Sequence, residues 1–98
     1  MERKKLSAEE IVEKFGELKT WVLIEEKAVI TKRFTFKNFA ESLNFVNKAG
    51  EIAERLDHHP DITFGWGYVE FQITTHDRDG LTDFDFALAK EIDGITEN

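Results

Sequence analysis

The apolar residues of this chain keep one period from about Lys37 to Asp57 and another from Ile62 to Ile73, and its only proline, Pro60, stands between the two segments. From about Lys37 to Asp57 the spacing is helical; after Ile62 it is the two-residue alternation of a strand. The proline ring disfavours helical geometry at the residue before it, so a helix has to end near Asp57 with His59 already extended. His58 and His59 therefore sit at a helix-to-strand corner. Projected at about 100° per residue, Phe39, Leu43, Phe45, Val46, Ala49, Gly50, Ile52, Ala53 and Leu56 fill roughly half of the helix circumference, where one core needs only roughly 100°. The excess predicts a second buried contact, and self-association into a homodimer or homotetramer is the expectation, with a helix deeply embedded in a monomer as the alternative.

The flanking segments complete the pattern. Ser7 with Glu10 spells a capping box, Leu6 and Ile11 a hydrophobic staple, and Ile11, Phe15 and Leu18 a helical stripe that Gly16 should stop near residue 17 or 18. Trp21 to Ile24 and Ala28 to Phe36 read as strands, with Glu25, Glu26 and Lys27 as the turn. Ile30, Phe34 and Phe36 share a face that Lys32 interrupts, so its ammonium is expected to reach past the sheet edge into water. Ile62, Phe64 and Trp66, then Val69, Phe71 and Ile73, alternate across a tight turn near Gly67. Thr82 with Asp85 spells a second capping box and Leu81 with Phe86 a second staple; Phe84, Leu88 and Ile92 carry a last helix that Gly94 should close. The order is α-β-β-α-β-β-α. Two hairpins joined edge to edge predict an α+β fold, a four-stranded antiparallel sheet with three helices on one face.

At 98 residues the chain suits a single domain spanning 1–98, so any active site shares residues with the core. Cysteine is absent, which excludes disulfides, thiolate nucleophiles and cysteine-based metal sites and points to a reducing compartment. Residues 1–10 are charged and no segment approaches the roughly 20 apolar residues of a membrane span, so a cytoplasmic protein without membrane contact is expected. The net charge of -7 would repel a phosphate backbone, and direct nucleic-acid binding is not expected. Arg3, Lys4 and Lys5 form a short basic cluster that reads as a solvated chain end.

The candidate chemistry lies in the three histidines, His58, His59 and His76. An unperturbed imidazole titrates at about 6.5 and so can both donate and accept a proton near neutrality. His76 follows the strand ending at Thr75, and antiparallel geometry is able to return that strand's end to the His58 and His59 corner. Glu54 lies four residues before His58, so a helix persisting to residue 58 would set its carboxylate against that imidazole; Asp57 offers a second. An acid, a base and an orienting carboxylate can move protons on a small molecule without a cofactor. Each histidine taken singly also fits a structural role, at a helix C-terminus or in a loop. A three-histidine zinc site is the weaker alternative, because adjacent histidines rarely face one ion and no fourth ligand stands out.

Glu54, His58-His59-Pro60, Trp66, His76 and Asp85 match in type and spacing the signature of the pterin-4a-carbinolamine dehydratases, which this chain resembles over nearly its whole length. The likeness includes Trp21, the run from Phe34 to Phe39 and the segment Thr74-Thr75-His76, while Phe64, Gly65 and Gly67 depart from the family pattern. The resemblance implies a cofactor-free enzyme that removes water from a 4a-hydroxytetrahydropterin, the carbinolamine left by aromatic amino-acid hydroxylases, to give a quinonoid dihydropterin. It further implies His58 and His76 as acid and base and His59 as the residue that binds and orients the pterin. Glu54, Asp57 and Thr75 would support the histidines, Trp21 and Trp66 would wall the flat ring, Pro60 would shape the corner and Asp85 would cap a helix. Some members of that family also act as dimerisation cofactors of a homeodomain transcription factor, which leaves an interaction protein, or a pterin binder without turnover, as the alternative.

Overall fold

In the computed structural model, which describes residues 1–96, three α-helices cover one face of a four-stranded antiparallel sheet. The elements are α1 (Ala8–Phe15), β1 (Val22–Ile24), β2 (Val29–Thr35), α2 (Phe39–Leu56), β3 (Asp61–Gly65), β4 (Tyr68–Ile73) and α3 (Asp83–Thr96), and the strands lie in the order β1-β2-β4-β3. The α+β class, the strand count and the element order are those predicted. Glu97 and Asn98 lie outside the described residues.

Alternation decides which face is covered. Ile30 and Phe34 of β2 and Val69, Phe71 and Ile73 of β4 point to the helices, where Phe45, Ala49, Phe86, Leu88 and Ile92 meet them. Phe34 packs on Phe45 at 4.8 Å between ring centroids and edge-on against Phe71 at 5.8 Å. The opposite face carries Thr31, Arg33, Glu70 and Gln72, the polar half of the same alternation.

The turns follow from local chemistry. The first hairpin closes through a single 3-10 turn at Glu25–Lys27 and a left-handed Ala28. The second closes on Trp66 and Gly67, with Gly65 opposite Tyr68. Gly67 has φ of +85°, a conformation that costs a side chain, and a Cβ there would also crowd the Phe36 carbonyl oxygen.

Two expectations are corrected. Lys32 does not extend freely into water: half-buried, its Nζ is folded over the Phe34 ring and bonds Asp93 Oδ1 at 2.6 Å, because α3 covers that end of the sheet and offers a carboxylate. Nor does Gly94 close the last helix, which runs through it to Thr96. Gly16 does cap α1, two or three residues before the expected stop.

Candidate active site

Helix α2 ends at Leu56 because Asp57 turns left-handed, with φ of 51° and ψ of 45°, and the amide of His58 then donates to the Ala53 carbonyl at 3.0 Å. This cap reverses the chain at the corner that Pro60 demands. It also corrects the pairing expected from helical spacing. Glu54 does not face His58; its Oε2 meets His59 Nε2 instead, since the turn breaks the four-residue register.

His58 points inward and is 6% exposed. Its Nε2 lies 2.6 Å from Oδ1 of Asp85, a fully buried carboxylate at the start of α3. The other oxygen, Oδ2, accepts from the Thr82 amide at 2.8 Å and from the Thr75 hydroxyl at 2.8 Å. The Thr82 hydroxyl completes the chain, 2.9 Å from Thr75 Oγ1, while accepting from the Phe84 amide at 3.3 Å. Asp85 thus supplies one half of the capping box read from the sequence, while the Thr82 hydroxyl takes the Phe84 amide and the Asp85 amide goes to the Thr82 carbonyl, and it also orients a histidine. The cap was legible from spacing; the histidine bond, between residues 27 positions apart, was not.

Because β4 runs antiparallel to β3, with Asp61 opposite Gln72, the end of β4 returns beside the start of β3. A 3-10 turn at His76–Arg78 follows, closed by the bridge between Thr75 and Gly80, and it sets His76 across from the His58 and His59 corner. The three histidines line one open cleft of about 280 Å³ together with Asp57, Thr74, Thr75 and Asp77. Their exposures are graded: the His58 side chain is 7% exposed, that of His59 54% and that of His76 78%. Asp61, which sequence reasoning passed over beside Pro60, places Oδ2 at 3.9 Å from His76 Nε2. Each histidine has a carboxylate at its ring.

Neither tryptophan lines this cleft. Trp21 is buried in the core and donates through Nε1 to Asp93 Oδ2 at 3.0 Å. Trp66, 73% exposed, stands on the β3–β4 turn, at the opposite end of β4 from Thr75, and a six-residue strand spans roughly 20 Å. Among the described residues no group of three or more His, Asp or Glu side chains is arranged to hold a metal ion.

The family model described as Pterin 4 alpha carbinolamine dehydratase matches residues 4–95. A Rubrobacter xylanophilus protein bearing the pterin-4-alpha-carbinolamine dehydratase name is 44% identical over 90 residues, which is 92% of this chain and 83% of that one. One from Sulfurisphaera tokodaii under the same name is 46% identical over 92 residues, or 94% of this chain and 97% of the relative. The crystal structure of a transcriptional coactivator/pterin dehydratase from Brucella melitensis is similar with a TM-score of 0.88 at 30% identity, covering 94% of this chain and 98% of that chain. A pterin dehydratase-like RuBisCO assembly factor of the alpha-carboxysome has a TM-score of 0.68 over 79% of this chain and 89% of that one; at 24% identity the likeness is one of fold alone. A match spanning almost every residue, with relatives this similar over most of their length, means that the chain belongs to the pterin-4-alpha-carbinolamine dehydratase family.

Proposed function

We propose that this chain is a 4a-hydroxytetrahydropterin dehydratase, a hydro-lyase acting by histidine acid and base catalysis. The observation that carries the reading is the single cleft in which His58, His59 and His76 meet, each backed by a carboxylate. The elimination breaks the bond between C4a and its hydroxyl and forms a double bond from C4a to the neighbouring ring nitrogen. One proton joins the departing hydroxide to make water, and one leaves the nitrogen, so an acid and a base suffice. His58 and His76 take these two parts. With Nε2 of His58 committed to Asp85, Nδ1 is the nitrogen left for proton exchange, and His76 supplies the exposed partner across the cleft. His59, braced by Glu54, binds and orients the pterin. Asp57 and Thr75 shape the cleft around them, and neither a metal nor an organic cofactor is required. Recycling of a tetrahydropterin such as tetrahydrobiopterin, in the cytoplasm and downstream of a hydroxylase, is the setting this chemistry suits.

The test is dehydration of a freshly generated carbinolamine, followed by the rise of quinonoid dihydropterin. His58→Ala and His76→Ala should each slow it about a hundredfold, the lower worth of a positioned general acid or base. Wild-type rates in both variants would overturn the assignment. Prolonged chelation should leave the rate intact, whereas loss restored by zinc would favour a metal site.

A second reading is an interaction protein. Phe39 and Leu43 on α2 and Trp66 on the hairpin are large apolar side chains left exposed, and the Brucella melitensis relative carries the description of a transcriptional coactivator. A stable transcription-factor complex recovered from the native cell, with no turnover by the purified chain, would favour it. Pterin binding without dehydration would mark a binder instead.

A further inference from the structure

Within the basic N-terminal cluster Lys4 and Lys5 are exposed, as a solvated end would be, but Arg3 is not free. The chain is pinned where Leu6, 8% exposed, inserts into the core and its amide donates to the Leu81 carbonyl at 2.8 Å. Upstream of that anchor, the carbonyl of Arg3 accepts from Arg78 Nε at 2.6 Å, on the same 3-10 turn that carries His76. The Arg3 guanidinium lies over the face of Phe84 with Cζ 4.1 Å from the ring centroid. One of its terminal nitrogens donates to the Asp57 carbonyl, and the same nitrogen is 3.9 Å from Asp57 Oδ2.

Both of these targets lead to His58. The Asp57 carbonyl belongs to the peptide unit that enters His58, and Asp57 holds the left-handed conformation that turns the chain there. A side chain at positive φ is disfavoured unless its surroundings fix it, and a donor on the carbonyl oxygen fixes the plane of the next peptide. Phe84 is the aromatic wall of the same histidine, with its ring centroid 5.7 Å from the imidazole. Arg3 itself does not line the cleft.

We propose that Arg3 is a positioning residue for His58, clamping from outside the cleft both the peptide that leads into the imidazole and the ring that backs it. A planar guanidinium suits this task because it can stack on a ring and donate in its own plane at once, which an ammonium does less well. The role rests on the dehydratase reading above. Small misplacement of a proton-transfer group is costly, up to about a hundredfold for a shift near 1 Å, so loosening the clamp should act on turnover more than on substrate binding.

The experiment uses the full chain as wild type, Arg3→Ala, Arg3→Lys, Phe84→Leu and the Arg3→Ala/Phe84→Leu double variant. It measures dehydration kinetics and, without substrate, the histidine-ring and tryptophan-indole NMR signals. Arg3→Ala should lower kcat about tenfold with KM within about twofold, and Arg3→Lys should recover part of the loss. The double variant should be no slower than the slower single one, because neighbours acting through one group are not additive. The His58 ring signal should move in Arg3→Ala while the Trp21 indole signal, tied to Asp93 and away from the cleft, stays in place. An unmoved His58 signal, or kcat within twofold of wild type in an active protein, overturns the proposal. So does movement of the Trp21 signal with that of His58, which marks a general loss of structure. Should the wild type show no dehydration, the functional reading fails by itself and the NMR comparison still decides the role of Arg3.

Discussion

Asp85 joins the start of α3 to the placing of a histidine. Its two oxygens serve the Thr82 amide, the Thr75 hydroxyl and the His58 ring with no solvent access, so the first turn of α3 and the orientation of a histidine depend on one buried group. Removing one partner of a buried, hydrogen-bonded pair leaves the others desolvated and unmatched. Asp85→Ala should therefore cost about 3 kcal/mol in urea unfolding, the upper part of what leaving buried hydrogen-bonding groups unmatched costs. Asp85→Asn keeps the shape and should cost less in stability. It changes what faces His58 Nε2, however, and should lower kcat at least about tenfold, the smaller part of a general acid's worth. A stability loss without a kinetic one in Asp85→Asn would leave this aspartate as a helix cap only.

At the level of elements, caps and turns carry the local energetics. In α1, Glu10 accepts from the Ser7 amide at 2.9 Å and the Ser7 hydroxyl accepts from the Glu10 amide at 3.1 Å. The Ser7 backbone bond, and then the side-chain one, hold the Glu10 carboxyl below its ordinary value of 4.5. A carboxyl lowered on folding contributes stability above its unfolded value, and that contribution is lost as the pH falls through the folded one. Wild type should accordingly lose more of its urea midpoint than Glu10→Gln between pH 6 and pH 3; equal losses would mean that the box is open in solution. In the second hairpin, Gly67→Ala meets both the strain of positive φ and the Phe36 carbonyl, and should cost about 1–2 kcal/mol in the same unfolding assay.

Across the whole molecule, the sheet uses one side of α2 and leaves another bare. Ser42, Phe45, Ala49 and Ala53 are buried against the sheet and α3, while Phe39 and Leu43 are 45% and 40% exposed and Gly50 faces open space. Phe39, Leu43 and Gly50, with half-buried Val46 between them, recur at helical spacing, and we propose this stripe as the seat of a second copy of the chain. Leu43→Glu should convert an oligomer to a smaller species in light scattering without loss of helicity. A wild type already monomeric at the concentrations of the kinetic assay would remove the reason for that stripe.

Local order was readable from residues alone. Ser7 with Glu10 and Thr82 with Asp85 announced helix starts, Pro60 announced the corner, and the two alternating runs announced the hairpins, because capping, proline geometry and strand alternation act over a few positions. The separation of Glu54 from His58 failed as a guide for the same reason: a single left-handed residue, Asp57, redirected the pairing to His59. Contacts across the fold were decided elsewhere. The bond from His58 to Asp85, the ion pair of Lys32 with Asp93, the distance of Trp66 from the histidines and the contacts of Arg3 with Asp57 and Phe84 depend on which elements the packed sheet and helices bring together. Sequence by itself determined the elements, the fold class and the three histidines as candidate proton carriers. Only the tertiary structure decided that the antiparallel return of β4 sets them in one cleft, and which carboxylate stands behind each, because those distances are fixed by packing and not by spacing along the chain.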